Sequence, residues 1–506
     1  MTFPLAALDA FKAAAADSGD WAAVLPEIVV AGLGLFALVQ ALVLPAAGRW
    51  LIPAAARVGL ILAGALAFHA GEAVGPSFGG LLVQDESTQL WRQVFLLCAL
   101  LTSLVGGRFF RDRGADEAEF HHLLLLVTAA LMILAQSAHV VTFFVALETA
   151  TVGLYVLCGL LRRSAASLEA GVKYLVAGGL SSAFLLMGFV LLQGLAGMHL
   201  PRGTDPLAFG AIAEALGAHG ADPLALAGAA LVLAGIGFKL GAFPFHGWVP
   251  DVYQGAPTPT TALLATASKS AGAVGLVLLL AGPLGPLLPR LLPALTVLAA
   301  GSLLAGNLAA LGSTDAKRAL ALSGVSHAGF LLSALVGVGT LAVAGGGKPD
   351  AAQLAIPVIL PYLLAYILGT FAALGALAAI PAEADERRPL VGLRGLIRRS
   401  PSLAASLTLG IGSLAGVPPS LGFFAKLLVL WVLVDSGSWL LLGLAVVSVA
   451  VGIHYYFSII REATIRSAPD GAPAPGIPWR ARALPLALGA LTVLLGLGVI
   501  AKAAAG

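Results

Sequence analysis

Runs of about 20 apolar residues recur along this chain from one end to the other, and they restrict its fold more than any other feature. A helix of that length crosses a hydrocarbon core of about 30 Å and satisfies its own backbone hydrogen bonds. The composition agrees, with 59% hydrophobic and only 10% charged residues over 506 positions and a mean hydropathy of +0.98. The sequence therefore predicts an all-α polytopic membrane protein. The first 23 residues carry three aspartates and one lysine, the wrong charge for a cleaved signal peptide.

About fourteen transmembrane helices are expected, numbered 1 to 14 along the chain. They cover approximately 24–44, 51–69, 90–109, 121–138, 140–161, 170–194, 224–255, 258–281, 289–311, 319–342, 354–380, 402–434, 438–460 and 482–502. Cytoplasmic loops of membrane proteins carry an excess of lysine and arginine. The loops of one face hold 18 of the 28 basic residues, Lys317 among them, and that face is predicted to be cytoplasmic, with both termini on the outer (periplasmic) side. The outer face holds six: Lys12, Arg92, Arg202, Arg290, Lys348 and Lys502.

Four basic residues remain, and all of them are lysines inside predicted spans: Lys173, Lys239, Lys269 and Lys426. Burial disfavours the ammonium form, so a lysine away from water can release its proton near neutral pH, whereas an arginine stays charged. Ionisable side chains within membrane spans are functional by default. Glu148 is the one acid well inside a span. We interpret it as the counter-charge of a lysine, with a structural hydrogen bond between helices as the alternative.

The depth of each lysine separates two interpretations. A lysine near a helix end can extend its stem to the membrane interface instead of working inside the membrane. Lys239 and Lys269 lie close to the middle of their spans, too deep for this. Lys426 lies further towards the outer face and Lys173 only a few residues into its span, so interfacial placement remains an alternative for both.

Two histidines, His327 and His246, are candidate proton relays. A neutral imidazole can both accept and donate a proton. Histidines in helix bundles are also common as packed, hydrogen-bonded residues, and this alternative stays open for both positions.

Two predicted spans, 224–255 and 402–434, are too long for one straight crossing, and both contain prolines. The first includes GFKLGAFPFHGW with Pro244, and the second includes GVPPSLGFFAK with Pro418 and Pro419. Proline removes a backbone donor, so a break at membrane depth needs protein or a water-filled cavity beside it. These broken helices, 7 and 12, each come fourth in a set of five.

The two sets, helices 4–8 and 9–13, are predicted to be inverted repeats, because an odd number of helices reverses the topology of the next set. The corresponding domain division is an N-terminal three-helix segment, a first five-helix repeat of the kind found in transporters, a second inverted repeat, and a C-terminal loop with the last helix. Their residues are 1–119, 120–281, 282–460 and 461–506.

Cofactor motifs are missing from the sequence. The string GIGSLAG at 410–416 loosely matches a dinucleotide fingerprint, but it lies within an apolar span rather than between a strand and a helix. Cys98 and Cys158 lie in apolar runs without a CxxC pair, which argues against a disulfide framework or an iron–sulfur cluster. We expect transport of protons or cations, with no cofactor, metal, nucleotide or nucleic acid bound by this chain.

Four stretches of the chain carry a family resemblance, which extends over most of spans 4 to 12. They are SLEAGVKYLVAGGLSSAFLLMG (167–188), FKLGAFPFHGWVPDVYQGAPTPTTALLATASKSAG (238–272), KRALALSGVSHAGFLL (317–332) and LAGVPPSLGFFAK (414–426). Together they resemble the antiporter-like membrane subunit N, or subunit 2, of respiratory complex I, the proton-translocating NADH:quinone oxidoreductase. The sister subunits L and M usually read PDAM where this chain has PDVY, and M typically has a glutamate in place of Lys426.

The resemblance implies a proton path through the buried charges. Glu148 would modulate Lys239 on broken helix 7, and Lys426 would be the terminal site towards the outside. Between them, Lys269 would be the central relay with His327 beside it. Lys173 matches a lysine of the family motif, and its role stays open. Redox chemistry would occur in other subunits, so the expected partners are antiporter-like and small membrane-arm subunits and the lipid bilayer.

The leading hypothesis is a proton-translocating subunit of this enzyme in the bacterial cytoplasmic (inner) membrane, without redox chemistry of its own. A homologous subunit of a ferredoxin- or coenzyme-dependent quinone reductase, or of a membrane-bound hydrogenase, is the first alternative. A stand-alone cation/proton antiporter is the second. The subunits that co-purify with the chain would distinguish the three.

Overall fold

The structure, a computed structural model, describes residues 18–44, 48–70, 75–346, 356–381, 387–467 and 477–505. The long helices of these residues are labelled to match the predicted spans. They are α1 Leu25–Val43, α2 Leu51–Ala70, α3 Glu86–Arg111, α4 Glu117–Leu134, α5 Val140–Cys158, α6 Ala165–His199, α7a Pro223–Leu240, α7b Val249–Gly255, α8 Thr258–Ala281, α9 Leu288–Leu311, α10 Ala316–Ala344, α11 Ile359–Ala379, α12a Pro401–Ala415, α12b Leu421–Asp435, α13 Trp439–Thr464 and α14 Trp479–Ala505. Short helices lie at Ser18–Ala23, Phe209–His219 and Leu396–Arg399, and an antiparallel hairpin pairs β1 (Gly75–Ser77) with β2 (Leu82–Gln84).

Every predicted span coincides with one of these helices or helix pairs. Thirteen helices in the described part of the chain are long and apolar enough to cross a membrane, and the remaining predicted span is the pair α12a and α12b. The all-α polytopic membrane architecture is therefore confirmed. Some helices are longer than predicted: α6 begins at Ala165 because the hydroxyl of Ser164 accepts the backbone N–H of Ser167 and caps its first turn.

Both predicted helix breaks are present. Gly241 follows the last residue of α7a with a φ of 66°, and Gly416 follows α12a with a φ of 83°. Glycine enters this left-handed region without a Cβ penalty and therefore ends helices readily. Prolines then lie within the non-helical stretches, Pro244 in the first and Pro418 and Pro419 in the second. Proline offers no backbone donor to continue the helix.

The core of the bundle is built around α8 and α11, which are almost entirely buried, whereas α1 and α14 are mostly exposed. The difference lies in their neighbours rather than in composition, because α1 and α14 are at least as apolar as α8 and α11 and can face lipid. In agreement, α8 packs against α3, α7a and α11. Lys269, which lies on α8, is thereby held at the centre of the fold.

Arg92, which was counted on the outer face, is a helix residue and not a loop residue. It lies on α3 with its side chain fully buried, and its Nε donates to Glu27 Oε1 at 2.7 Å. A second donor, Nη2, reaches Gln136 Oε1 at 3.0 Å. A buried arginine needs a paired acid and further hydrogen bonds to offset the cost of leaving water. Lys12 and Lys348 lie outside the described residues.

Candidate functional site: buried lysines at the ends of broken helices

Glu148 and Lys239 form an ion pair between α5 and α7a. Lys239 Nζ lies 3.1 Å from Glu148 Oε1 and donates to Thr151 Oγ1 at 2.7 Å. Glu148 and Thr151 are three residues apart on one helix and so point to the same side. Ser182 of α6 donates to the second oxygen of Glu148 at 2.6 Å. The lysine is buried, whereas the glutamate side chain keeps 21% of its surface exposed.

Lys269 of α8 contacts the break in helix 7, at the end of α7a. Its Nζ donates to the carbonyl oxygen of Leu240, the last residue of α7a, at 2.8 Å, and to that of Gly324 in α10 at 2.9 Å. The last carbonyls of a helix have no intrahelical partner and carry its partial negative charge. A buried ammonium is therefore stabilised at this position. Immediately before Lys269, residues Leu264–Ser268 form one π-helical turn, a feature that often marks functional positions in helices.

Lys426 repeats this arrangement at the second break. It lies on α12b, and its Nζ donates to the carbonyl oxygen of Ala415, the last residue of α12a, at 3.0 Å. The Nζ atom also lies 5.2 Å from the centre of the Phe330 ring, within the range of a cation–π interaction. Each of the two breaks thus has a buried lysine bound to the C-terminal end of its first half-helix.

His327 lies between Lys269 and Lys426. Its Nδ1 is 2.6 Å from the hydroxyl of Tyr362 on α11, and its Nε2 is 3.1 Å from the hydroxyl of Tyr456 on α13. A cavity of about 10 Å³, lined by His327, Tyr362, Tyr366 and Lys426 among others, has room for about one water molecule. The imidazole therefore has a tyrosine hydroxyl at each ring nitrogen, and it adjoins Lys426.

Short contacts connect the buried lysines and His327 to one another in space. Lys239 directly precedes Leu240, whose carbonyl binds Lys269. Lys269 also binds Gly324, which lies one helical turn before His327. His327 and Lys426 line the same cavity. The structure thus brings five of the predicted site residues into one line: Glu148, Lys239, Lys269, His327 and Lys426.

Two predicted site residues, Lys173 and His246, have no hydrogen bond or ion pair with these five residues in the described part of the chain. Lys173 is exposed at the bundle surface, where its Nζ pairs with Glu169 at 2.6 Å and Asp251 at 2.9 Å. Asp251 in turn pairs with Arg318 at 2.7 Å. His246 lies in the first break, half-buried, with its ring centre 5.8 Å from that of Phe243. The ion pairs of Lys173 agree with the interfacial alternative left open by its position in the sequence.

Lys317 was assigned to a surface loop, and this is wrong. It lies in the first turn of α10, its side chain is fully buried, and its Nζ donates to the carbonyl of Ala256, the residue that follows α7b. A lysine thus binds the C-terminal end of α7b as well. Asp315, whose side chain accepts the backbone N–H of Arg318, starts α10 two residues earlier, and this capping pattern could have placed Lys317 inside the helix.

Among the described residues, no three histidine, cysteine, aspartate or glutamate side chains are grouped closely enough to hold a metal ion. The polar groups of the site are lysines, one carboxylate, one imidazole, hydroxyls and backbone carbonyls, which exchange protons or form hydrogen bonds.

The broken helices and the buried charges at their ends define an antiporter-like, multi-pass membrane protein. Residues 137–452 match the family described as NADH:quinone oxidoreductase/Mrp antiporter, transmembrane. The chain therefore belongs to the NADH:quinone oxidoreductase/Mrp antiporter family.

Individual relatives agree with this assignment. The chain is 43% identical over 457 residues to NADH-quinone oxidoreductase subunit N 1 of Opitutus terrae, covering 89% of this chain and 88% of that protein. A chain of respiratory complex I from Thermus thermophilus superposes with a TM-score of 0.75 at 33% identity, covering 93% and 97% of the two chains. A chain of the Mrp complex from a Dietzia species shares the fold, with a TM-score of 0.75 at 24% identity and 95% coverage of both chains.

Proposed function

We propose that this chain is the N subunit of a proton-translocating NADH:quinone oxidoreductase, and that it moves H⁺ across the membrane through its line of buried lysines. The path comprises Glu148, Lys239, Lys269, His327 and Lys426. Pro244, Pro418 and Pro419 keep the two helices broken beside it. The observation that carries the proposal is the binding of Lys269 and Lys426 to the terminal carbonyls of α7a and α12a.

The helix ends give the lysines a means of taking up and releasing protons. An ammonium is favoured while it faces a helix C-terminus or a carboxylate, and the neutral amine is favoured when that partner withdraws into a low-dielectric surrounding. A broken helix can shift one half without unwinding the other. A displacement of α7a relative to α8 would therefore change the proton affinity of Lys269, and α12a would act likewise on Lys426.

Glu148 provides the corresponding control over Lys239. The carboxylate at 3.1 Å stabilises the ammonium. Its partial exposure places a charged group on an outer face of α5, between the exposed apolar side chains of Val145 and Val152. A carboxylate facing lipid at mid-span is costly. A neighbouring membrane-arm subunit covering this face would remove that cost and could transmit movement to the glutamate.

The remaining assignments follow from the same proposal. Redox chemistry takes place in other subunits, and this chain binds no cofactor. The protein lies in the bacterial cytoplasmic membrane with its arginine-rich loops in the cytoplasm and both termini on the periplasmic side. The two inverted repeats, residues 120–281 and 282–460, each supply one broken helix with a lysine at its end. Lys173 and His246 act outside the main path.

Lys239→Met in the purified parent complex tests the proposal. Methionine keeps much of the lysine stem but carries no proton. In vesicles, NADH-driven acidification should fall strongly relative to the NADH oxidation rate, whereas Lys502→Met, which removes an exposed lysine of α14, should pump normally. Normal pumping by Lys239→Met would remove this lysine from the path. Purification of the chain alone, with its own transport activity, would support the stand-alone antiporter instead.

A further inference from the structure

A large cavity lies at the arginine-rich end of the bundle and is separate from the residues of the proposed proton path. Its volume is about 1030 Å³, at the upper end of the range of about 300–1,000 Å³ for small-molecule pockets. The ends of α3 and α11, the start of α14, and the loops after α3 and α5 contribute to its walls. None of the five residues of the proposed proton path lines it.

The rim of this cavity is strongly basic. Seven arginines line it, against three carboxylates. Some of the arginines already have acidic partners: Arg108 pairs with Asp112 at 3.0 Å, and Arg111 with Glu117 at 2.8 Å.

Two other rim arginines retain their full charge for a ligand. Arg163 and Arg480 are exposed, and in the described part of the chain no carboxylate lies within 4 Å of either guanidinium. The guanidinium group matches phosphate geometry with two parallel hydrogen bonds. The charge of the rim therefore favours an anion with several oxygen acceptors.

The inner wall of the same cavity is apolar and belongs to membrane helices. Val105 of α3, Ala379 of α11 and Leu484 of α14 line it, together with Leu160 and Ile380. A polar peptide placed here would leave backbone donors and acceptors unpaired against hydrocarbon, which costs free energy for each group. Acyl chains meet no such cost. The combination of a basic rim with an apolar wall between transmembrane helices fits a lipid headgroup with its chains.

We propose that this cavity binds one anionic phospholipid, whose phosphate contacts Arg163 and Arg480 and whose acyl chains lie along Val105, Ala379 and Leu484. The bound lipid would tie α14 to the ends of α3 and α11. The site is independent of the proton path.

Spin-labelled lipids test this site without reference to pumping. The probes are phosphatidylglycerol and phosphatidylcholine labelled on the acyl chain and added to the purified parent complex after detergent removal of bound lipid. The fraction of probe with restricted motion reports binding. Wild type should hold phosphatidylglycerol in preference to phosphatidylcholine. Arg163→Gln with Arg480→Gln should weaken phosphatidylglycerol binding by about tenfold or more, a change of ~1.4 kcal/mol or more, because the charge-assisted hydrogen bonds to the phosphate are lost.

Matched variants separate the site from general charge effects. Arg387→Gln with Arg398→Gln removes two exposed arginines that do not line the cavity and should leave binding unchanged. Ala379→Phe fills the apolar wall without changing charge and should also weaken binding. Arg163→Lys with Arg480→Lys should retain part of it.

Four outcomes would overturn the proposal. The first is equal restriction of both lipids in the wild type. The second is equal loss in the two arginine pairs. The third is displacement of the lipid by millimolar inorganic phosphate, which would indicate a site for free phosphate. The fourth is an absence of phosphatidylglycerol binding to the assembled complex, which is expected if an acidic segment of a partner subunit fills the cavity.

Discussion

Lys269 Nζ donates a hydrogen bond of 2.8 Å to the carbonyl oxygen of Leu240, and this single contact joins the central lysine of the bundle to the end of a broken helix. The bond would not exist in a continuous α7, because the Leu240 carbonyl would accept the N–H of the fourth residue onward. The helix break and the buried lysine therefore depend on one another: the break exposes an acceptor, and the lysine satisfies it.

Lys269→Arg separates charge from proton release. Arginine can keep a positive charge at the end of α7a, but it does not lose its proton under these conditions. We expect the variant complex to assemble and oxidise NADH while NADH-driven acidification of vesicles falls by about tenfold or more, a change of ~1.4 kcal/mol in the effective barrier. Gel filtration and subunit composition would verify assembly. Pumping at the wild-type ratio of protons to NADH would show that Lys269 does not carry the proton.

Glu148 and Lys239 are expected to act as one unit. Removing one partner of a buried ion pair typically costs about 3–5 kcal/mol because the other charge loses its compensation. The partial exposure of Glu148 reduces this cost here. Glu148→Gln keeps the shape of the side chain but removes the charge that stabilises the ammonium, so pumping should fall about as far as in Lys239→Met.

The double variant decides whether the two residues are coupled. If they form one switch, combining Glu148→Gln with Lys239→Met should be little worse than either change alone, since residues in contact are not additive. Proton pumping in vesicles, expressed as a free energy of activation for each variant, provides the comparison. Additive losses would mean independent roles and would return Glu148 to a structural hydrogen bond.

Lys173→Met should have a small effect on pumping, unlike the buried lysines. Its ion pairs with Glu169 and Asp251 are exposed, and such pairs contribute about 0–1 kcal/mol. The variant should lose at most a few degrees of thermal stability in the purified complex, less at high salt because ions screen exposed charges. A loss of pumping as large as that of Lys239→Met would place Lys173 in the path after all.

Local patterns in the sequence predicted much of this arrangement. Depth within an apolar span distinguished the buried Lys239 and Lys269 but left the burial of Lys426 open, and glycine with proline located both helix breaks. Whether a lysine is buried or exposed is harder to predict when it lies near a helix end. Lys317 lies among loop-like residues in the sequence, but in the fold its side chain is buried and its ammonium binds the Ala256 carbonyl at the end of α7b.

Side-chain contacts between distant parts of the chain could not be predicted from the sequence. Tyr456 meets His327 across a separation of 129 residues, and no periodicity within either helix encodes that contact. Thr151, by contrast, lies three residues from Glu148 on the same helix face, so its contact with Lys239 could have been anticipated from spacing.

Lys317→Met should reduce stability rather than pumping. The change removes the charged donor of the Ala256 carbonyl at the end of α7b and leaves it only the longer bond of 3.4 Å from Thr261 Oγ1, and a hydrogen bond from a charged group contributes about 1.5–3 kcal/mol. The purified complex should therefore unfold at a lower temperature, while the complexes that remain assembled pump at the normal ratio. Unchanged stability together with lost pumping would instead assign Lys317 to the proton path.

The two tyrosines at His327 are expected to let its proton move from one ring nitrogen to the other. A neutral imidazole has one donor and one acceptor nitrogen, and a hydroxyl can serve either. With Tyr362 at Nδ1 and Tyr456 at Nε2, both tautomers are satisfied, so the histidine can accept a proton on one side and release it on the other. Replacing either tyrosine by phenylalanine keeps the ring but leaves one nitrogen without its partner, which favours a single tautomer.

We therefore expect Tyr362→Phe and Tyr456→Phe each to lower the ratio of protons pumped to NADH oxidised, with assembly intact. Tyr155→Phe is the matched control, because the hydroxyl of this buried tyrosine has no hydrogen-bond partner among the described residues. A structural role of the tyrosines would lower the unfolding temperature of the complex without changing the pumping ratio. If both phenylalanine variants pump as well as Tyr155→Phe, His327 is a packed residue, and protons pass from Lys269 to Lys426 without it.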